Sequence, residues 1–206
     1  MVALTHKRFK KYAAIAIGFL TLAIAIIFYL SSRDQDHLMP DDGSVEWGVP
    51  LPPRIAERLK PELTPDTLAS VIVNPELAIE KYVTGVRKVG ADYKIFGADL
   101  DNSDGNIRRC ELHIRPTLGE LLVRLWQRSL KGTSSRPQPS LGLDGTDYYF
   151  AAPVGGKELT GRTWSPQTPK MRRLVAIASV MKNLCQLGDV AGLTPLEYQV
   201  NDALAH

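Results

Sequence analysis

The 18 residues from Ala13 to Leu30, AAIAIGFLTLAIAIIFYL, carry no charge, and their only side-chain polar groups are the hydroxyls of Thr21 and Tyr29. As a helix rising 1.5 Å per residue, the run would span about 27 Å, roughly one hydrocarbon core. A helix buried in a soluble protein usually keeps a polar face, and this run has none. Lys7, Arg8, Lys10 and Lys11 precede it, whereas Ser31-Ser32-Arg33-Asp34-Gln35-Asp36 comes after. Such a bias of basic residues keeps the N-terminus in the cytoplasm and exports the remainder of the chain. Tyr12 and Tyr29 stand where interfacial aromatics are favoured. The run is longer than the roughly 7–15 apolar residues of a cleaved signal peptide, and no A-x-A-like site comes after it. No cysteine lies near it to accept a lipid, and no second long apolar run exists. The expectation is an uncleaved, single-pass signal anchor with the N-terminus in the cytoplasm and the main domain exported.

Charge supports the same division. The 206 residues contain 25 basic and 22 acidic side chains, a net charge of +3. Residues 1–12 alone hold +4, so residues 31–206, with 21 basic and 22 acidic groups, sum to −1. A nearly neutral exported part argues against nucleic acid as a partner, because affinity for it rests on neutralising phosphates. Two cysteines are too few for a disulfide-dense miniprotein, and 44% hydrophobic residues are too many for a disordered chain.

The sequence divides into a cytoplasmic tip (1–12), the anchor (13–30), a proline-rich tether (31–63) and an extracytoplasmic domain (64–206). Pro40, Pro50, Pro52, Pro53, Pro61 and Pro65 imply extended chain with short helical pieces, Arg54–Lys60 being one. Within the domain, Asn74-Pro75 reads as the start of a helix through Leu77, Ile79 and Tyr82 that stops before Gly85. Val86–Leu100 and Asn106–Arg115 read as strands of a hairpin. Thr117-Leu118-Gly119-Glu120 reads as a capping box opening a helix with Leu118, Leu121, Leu122, Leu125 and Trp126 on one stripe. Leu143–Pro153 and Leu159–Trp164 form a second expected hairpin around Gly155-Gly156. Thr168-Pro169 opens a last long helix, with Met171, Leu174, Val175, Ala178, Met181 and Cys185 on one face and Gly188 as its stop. The expected class is α+β, a small antiparallel sheet of two hairpins packed with helices.

Export permits a Cys110–Cys185 disulfide, which would close a loop of about 75 residues and contribute about 4 kcal/mol in the chain-entropy model. Two unpaired core thiols are the alternative. Of the four histidines, His6, His37 and His206 lie outside the expected core elements and only His113 falls on a strand, so a histidine-rich metal site is not expected. The stretch Asp99–Gly105 suggests a calcium loop, but aligning Gly105 with the sixth loop position puts Leu100 at the first, where a ligand is required. An Asp/Asn/Gly turn explains it better. The hydrolase, zincin and phosphate-loop motifs are absent, and neither a cofactor nor an enzymatic activity is expected.

Basic residues are the more suggestive feature. Arg108 and Arg109, Arg124, Arg128 and Lys131, and Lys170, Arg172 and Arg173 form local clusters. They are candidates for guiding an acidic protein partner, with a lipid headgroup as an alternative and solvated faces as the bland explanation. Asp144-Gly145-Thr146-Asp147-Tyr148-Tyr149-Phe150, then Gly161-Arg162-Thr163-Trp164-Ser165-Pro166 and the Leu174-Val175-Ala176-Ile177-Ala178 helix, resemble a pattern in small membrane-anchored bacterial periplasmic proteins of the toxin-immunity kind. The resemblance covers about 40 residues and transfers no site residues. It implies a protein-binding domain in the periplasm, anchored in the bacterial inner membrane, that neutralises a secreted antibacterial effector. The competing expectation is a structural or assembly component of an envelope complex.

Overall fold

A computed structural model describes residues 20–22, 37–39, 58–75, 80–101, 106–134, 145–166 and 168–206. The chain forms two compact units, Met1–Asp34 and Gln35–His206. In the first unit the described residues 20–22 are helical and exposed; the rest of the expected anchor lies outside the described residues. Among the described residues no helix is long and apolar enough to cross a membrane.

The second unit is α+β. Six strands make one antiparallel sheet: β1 (Thr67–Pro75), β2 (Glu80–Val89), β3 (Asp92–Asp101), β4 (Ile107–Ile114), β5 (Thr146–Val154) and β6 (Lys157–Trp164). Their spatial order is β4-β3-β2-β1-β5-β6, so the first four strands form a meander and the last hairpin adds to the far side of β1. Among the described residues three long helices accompany them: α1 (Pro116–Lys131), α2 (Pro169–Leu187) and α3 (Leu193–Ala205).

The helix expected across Leu77, Ile79 and Tyr82 is not what the described residues form. Pro75 closes β1 and Glu80 opens β2, and residues 76–79 lie outside the described residues. Thr67–Pro75 is a central strand, paired with β2 on one side and β5 on the other. Its residues Ala69–Asn74 are buried whichever face they take, so no polar alternation marks the strand in the sequence. The run Val86–Leu100 is in turn two strands, divided at Gly90-Ala91, where Gly90 has φ 64°. The sheet thus holds six strands where four were expected.

The later elements match the sequence closely. Gly155 and Gly156, at φ 59° and 78°, make the two-residue turn between β5 and β6, a geometry that side chains with a Cβ resist. Thr168 caps α2 by accepting a hydrogen bond from the Met171 amide, and Gly188 ends that helix. In α1 the expected capping box is replaced: Arg115 occupies the cap position without a side-chain bond, and Pro116 starts the helix. Proline has no amide hydrogen to satisfy, so the first turn loses little by lacking a cap.

Two hydrophobic layers lie on the two faces of the sheet. On the helical side, Val71, Val73, Ile95, Leu112 and Phe150 meet Leu118, Leu122, Trp126, Leu174, Met181 and Leu196. Trp126 is buried; its indole nitrogen donates to the Ser70 carbonyl at 3.0 Å, and its ring meets Phe150 edge-on at 5.6 Å. On the opposite side, Leu59, Ile72, Val83, Phe96, Ala98, Leu100 and Tyr149 form a smaller layer. Leu59, in a helical stretch at residues 58–59, and Leu63 reach that layer from either side of the 3₁₀ turn Lys60–Glu62. Met39 adds a bridge to Arg162 on the outer edge of β6, and Leu38 is fully buried. Parts of the expected tether are therefore built into the domain.

Candidate functional site

Helix α3, which lies beyond the last helix expected from the sequence, organises the helical layer. It turns back along α2 after Gly188, where Asp189 accepts hydrogen bonds from the amides of Ala191 and Gly192 at 2.9 and 3.2 Å. Arg115, at the start of α1, pairs with Glu197, and Arg128, near the end of α1, donates to the Leu204 carbonyl. These two contacts lay α3 along α1 in the same direction. The end of α3 consequently comes to the end of α1 and the beginning of α2.

A cavity of about 230 Å³ opens at that meeting point. Leu125, Met171, Leu174 and Ala203 supply its apolar wall, and His37, Arg128, Lys170, Arg173 and His206 its polar one. The cations come from segments far apart in sequence, yet three of the expected basic positions, Arg128, Lys170 and Arg173, share one mouth. Asp202 stands beside it, 3.5 Å from Arg173 and 3.6 Å from His206. Both Arg173 and Asp202 are more than 40% exposed, so that pair contributes little and exchanges partners readily. Lys170 is exposed and forms no ion pair among the described residues. The first turn of α2 contains no acid, so its partial positive charge adds to that of the side chains.

The other expected basic residues are placed elsewhere. Arg172, on the outside of the same turn, holds the Pro166 carbonyl at 3.4 Å. Arg124 is exposed on α1 one turn before Arg128. Arg108 and Arg109 lie on β4, near the far end of α2, about 24 Å along that helix from Lys170. Arg109 is committed to Glu62, which accepts from its Nε at 2.9 Å and from its Nη2 at 2.7 Å. That carboxylate raises the guanidinium pKa of Arg109, first through the hydrogen bond and then through its charge. The candidate set is therefore split between two ends of the domain. His113 is exposed on β4, as its alternation with Leu112 and Ile114 implies.

A second polar cluster lies under α2, around Asp99, the first residue of the stretch weighed above as a calcium loop and here part of β3. Asp99 is buried on the helical side of β3; it accepts from Gln186 and sits 3.4 Å from Lys182. The Lys182 ammonium also lies 4.4 Å above the Tyr82 ring. Burial pushes the Tyr82 phenol above its ordinary value, a hydrogen bond with Ser179 opposes this, and the Asp99 charge reinforces it. A cavity of about 380 Å³ borders the cluster, lined by Asp99, Arg108, Arg109, Cys110 and Gln186. Asp99 thus serves to dock α2 on the sheet, and no cluster of metal-ligating side chains occurs among the described residues.

Beside this cluster Cys110 and Cys185 are joined, with their Cα atoms 5.6 Å apart and a sequence separation of 75. Gly97 faces Cys110 across the β3–β4 pairing, and a Cβ there would come within 2.9 Å of the Cys110 sulfur. The glycine leaves room for the bridge, which ties α2 to the sheet. No family model, curated protein or solved structure matches this chain.

Proposed function

We propose that this chain is a periplasmic protein-binding domain held at the inner membrane by its N-terminal segment, and that it acts as an immunity protein against a secreted antibacterial effector. The observation that carries the reading is the convergence of Arg128, Lys170 and Arg173 on one mouth of the helical layer. Basic groups gathered there favour an acidic surface on the partner and raise its rate of encounter. The Cys110–Cys185 bridge supports the extracytoplasmic part of the proposal, since structural disulfides persist where the surroundings are oxidising. An anchor would hold the domain where an effector enters the periplasm.

The test is co-expression. The protein encoded by the neighbouring gene is exported to the periplasm of a sensitive host, with and without this chain. The reading expects growth to stop without the chain and to resume with it. A neighbour that is harmless when exported alone, or one that kills equally in both strains, defeats the immunity role.

A further inference from the structure

The cavity at the end of the helical layer is small and two-sided. At about 230 Å³ it falls below the roughly 300–1,000 Å³ of a site for a whole small-molecule ligand, so it suits the end of something larger. Its apolar wall of Leu125, Met171, Leu174 and Ala203 meets Arg128, Lys170 and Arg173 directly. A ligand group suited to both walls presents an apolar side chain and a negative charge close together. An aspartate or glutamate within a chain brings the charge without the apolar group, and its chain must leave in two directions. A C-terminal apolar residue brings both, because its carboxylate sits on the same Cα as its side chain.

We infer that this cavity captures the C-terminal carboxylate of a partner protein that ends in an aliphatic residue. The inference rests on the protein-binding reading above and specifies how that binding is made. Lys170 and Arg173 face the carboxylate at the start of α2, where the helix adds its own positive end. Arg173 turns to it from Asp202, an exposed partner that is easily replaced. The aliphatic side chain covers Met171 and Leu174, and Arg128, held by the Leu204 carbonyl, borders the other side.

The experiment uses the full chain in detergent micelles and a fluorescein-labelled hexapeptide ending in leucine, monitored by fluorescence anisotropy. The peptide with a free terminal carboxylate should bind about tenfold or more tightly than the same peptide as its amide, the ratio expected for a charge-assisted hydrogen bond. Binding should be lost in Lys170→Glu/Arg173→Glu, weakened in Lys170→Ala, and unchanged in Lys157→Ala on the β5–β6 turn. Lys170 has no ion pair to lose among the described residues, so its alanine variant keeps the fold, which a thermal melt verifies. Equal binding of acid and amide overturns the inference, as does binding that survives the double variant. A third peptide, amidated and carrying one internal glutamate, should bind no better than the amide; if it matches the free acid, an acidic side chain is the ligand and the inference is wrong. Failure here leaves the co-expression result standing, whereas failure to protect would defeat the immunity reading even if the peptide binds.

Discussion

The two faces of the sheet are closed in different ways, and on that difference we assign one of them to a partner. One face lies under three helices, with Trp126 at its centre and a disulfide holding α2 down. The other is covered by Leu59 and Leu63 from a proline-rich segment. Over that second face three cations, Arg87, Lys94 and Arg109, are each held by a carboxylate. Arg87 lies 4.2 Å from the Phe96 ring centre, donates to the Glu62 carbonyl at 2.8 Å and meets Glu111 at 3.0 Å. Glu111 is also held by Lys94 at 2.8 Å, and Glu62 by Arg109 at 2.7 Å. The helical side is different, for its Arg128, Lys170 and Arg173 gather around an open mouth with Asp202 beside them. A face whose cations are each held by a carboxylate supports the fold, and the face where Lys170 stands at an open mouth without an ion pair among the described residues is the one we assign to a partner.

Substitutions on either side put this contrast at risk. The largest effect is expected at Trp126, where alanine should cost about 3–5 kcal/mol in urea unfolding because it removes a buried ring and strands the Ser70 carbonyl. A loss below about 1 kcal/mol would mean that the helical layer is not the principal core. Replacing both Cys110 and Cys185 by serine should cost about 4 kcal/mol, read from the same unfolding curves, since the bridge closes a 75-residue loop. If the wild type is fully alkylated without reductant, the bridge does not form in the protein.

On the opposite face, Leu59→Ala should cost about 2–3 kcal/mol, a sign that the proline-rich segment is part of the fold. A change of a few tenths would return that segment to the role of a spacer. The smallest effect concerns Glu111. The hydrogen bond from Lys94 holds its carboxyl below the ordinary carboxylate range, against the opposing pull of desolvation. A depressed folded-state pKa contributes stability above the unfolded pKa, and that contribution disappears as pH falls through the folded value. Glu111→Gln should therefore be less stable than wild type by a few tenths of a kcal/mol at pH 7, with the gap closing at acid pH, because the pair is largely exposed. A gap that widens in acid would contradict the assigned sign.

Legibility in the sequence differs between local and distant features. The stripes on α1 and α2, the Thr168 cap and the Gly155-Gly156 turn are local signals, and each appears in the structure where the spacing puts it. The pairing of Cys110 with Cys185 could be anticipated only through the expected export, and Gly97 completes it from a strand whose sequence gives no hint of that role. Strand β1 was hidden because it is buried on both faces, and Asn74-Pro75 imitates a helix start. The second sheet face was hidden because Leu59 and Leu63 have no periodicity to betray their burial. At the candidate site, the residue types were visible but their grouping was not. Arg128 joins Lys170 and Arg173 where α3 runs back beside both helices, a long-range arrangement that no local spacing encodes.

That the helical side meets the partner while the opposite side supports the fold is decided by charge reversal in the co-expression assay. We predict that Lys170→Glu/Arg173→Glu abolishes protection while the protein still accumulates in the membrane fraction, and that Arg109→Glu, which breaks only the clamp on Glu62, leaves protection intact. Protection that survives the first variant and fails in the second would place the working surface on the other side of the molecule and overturn this assignment.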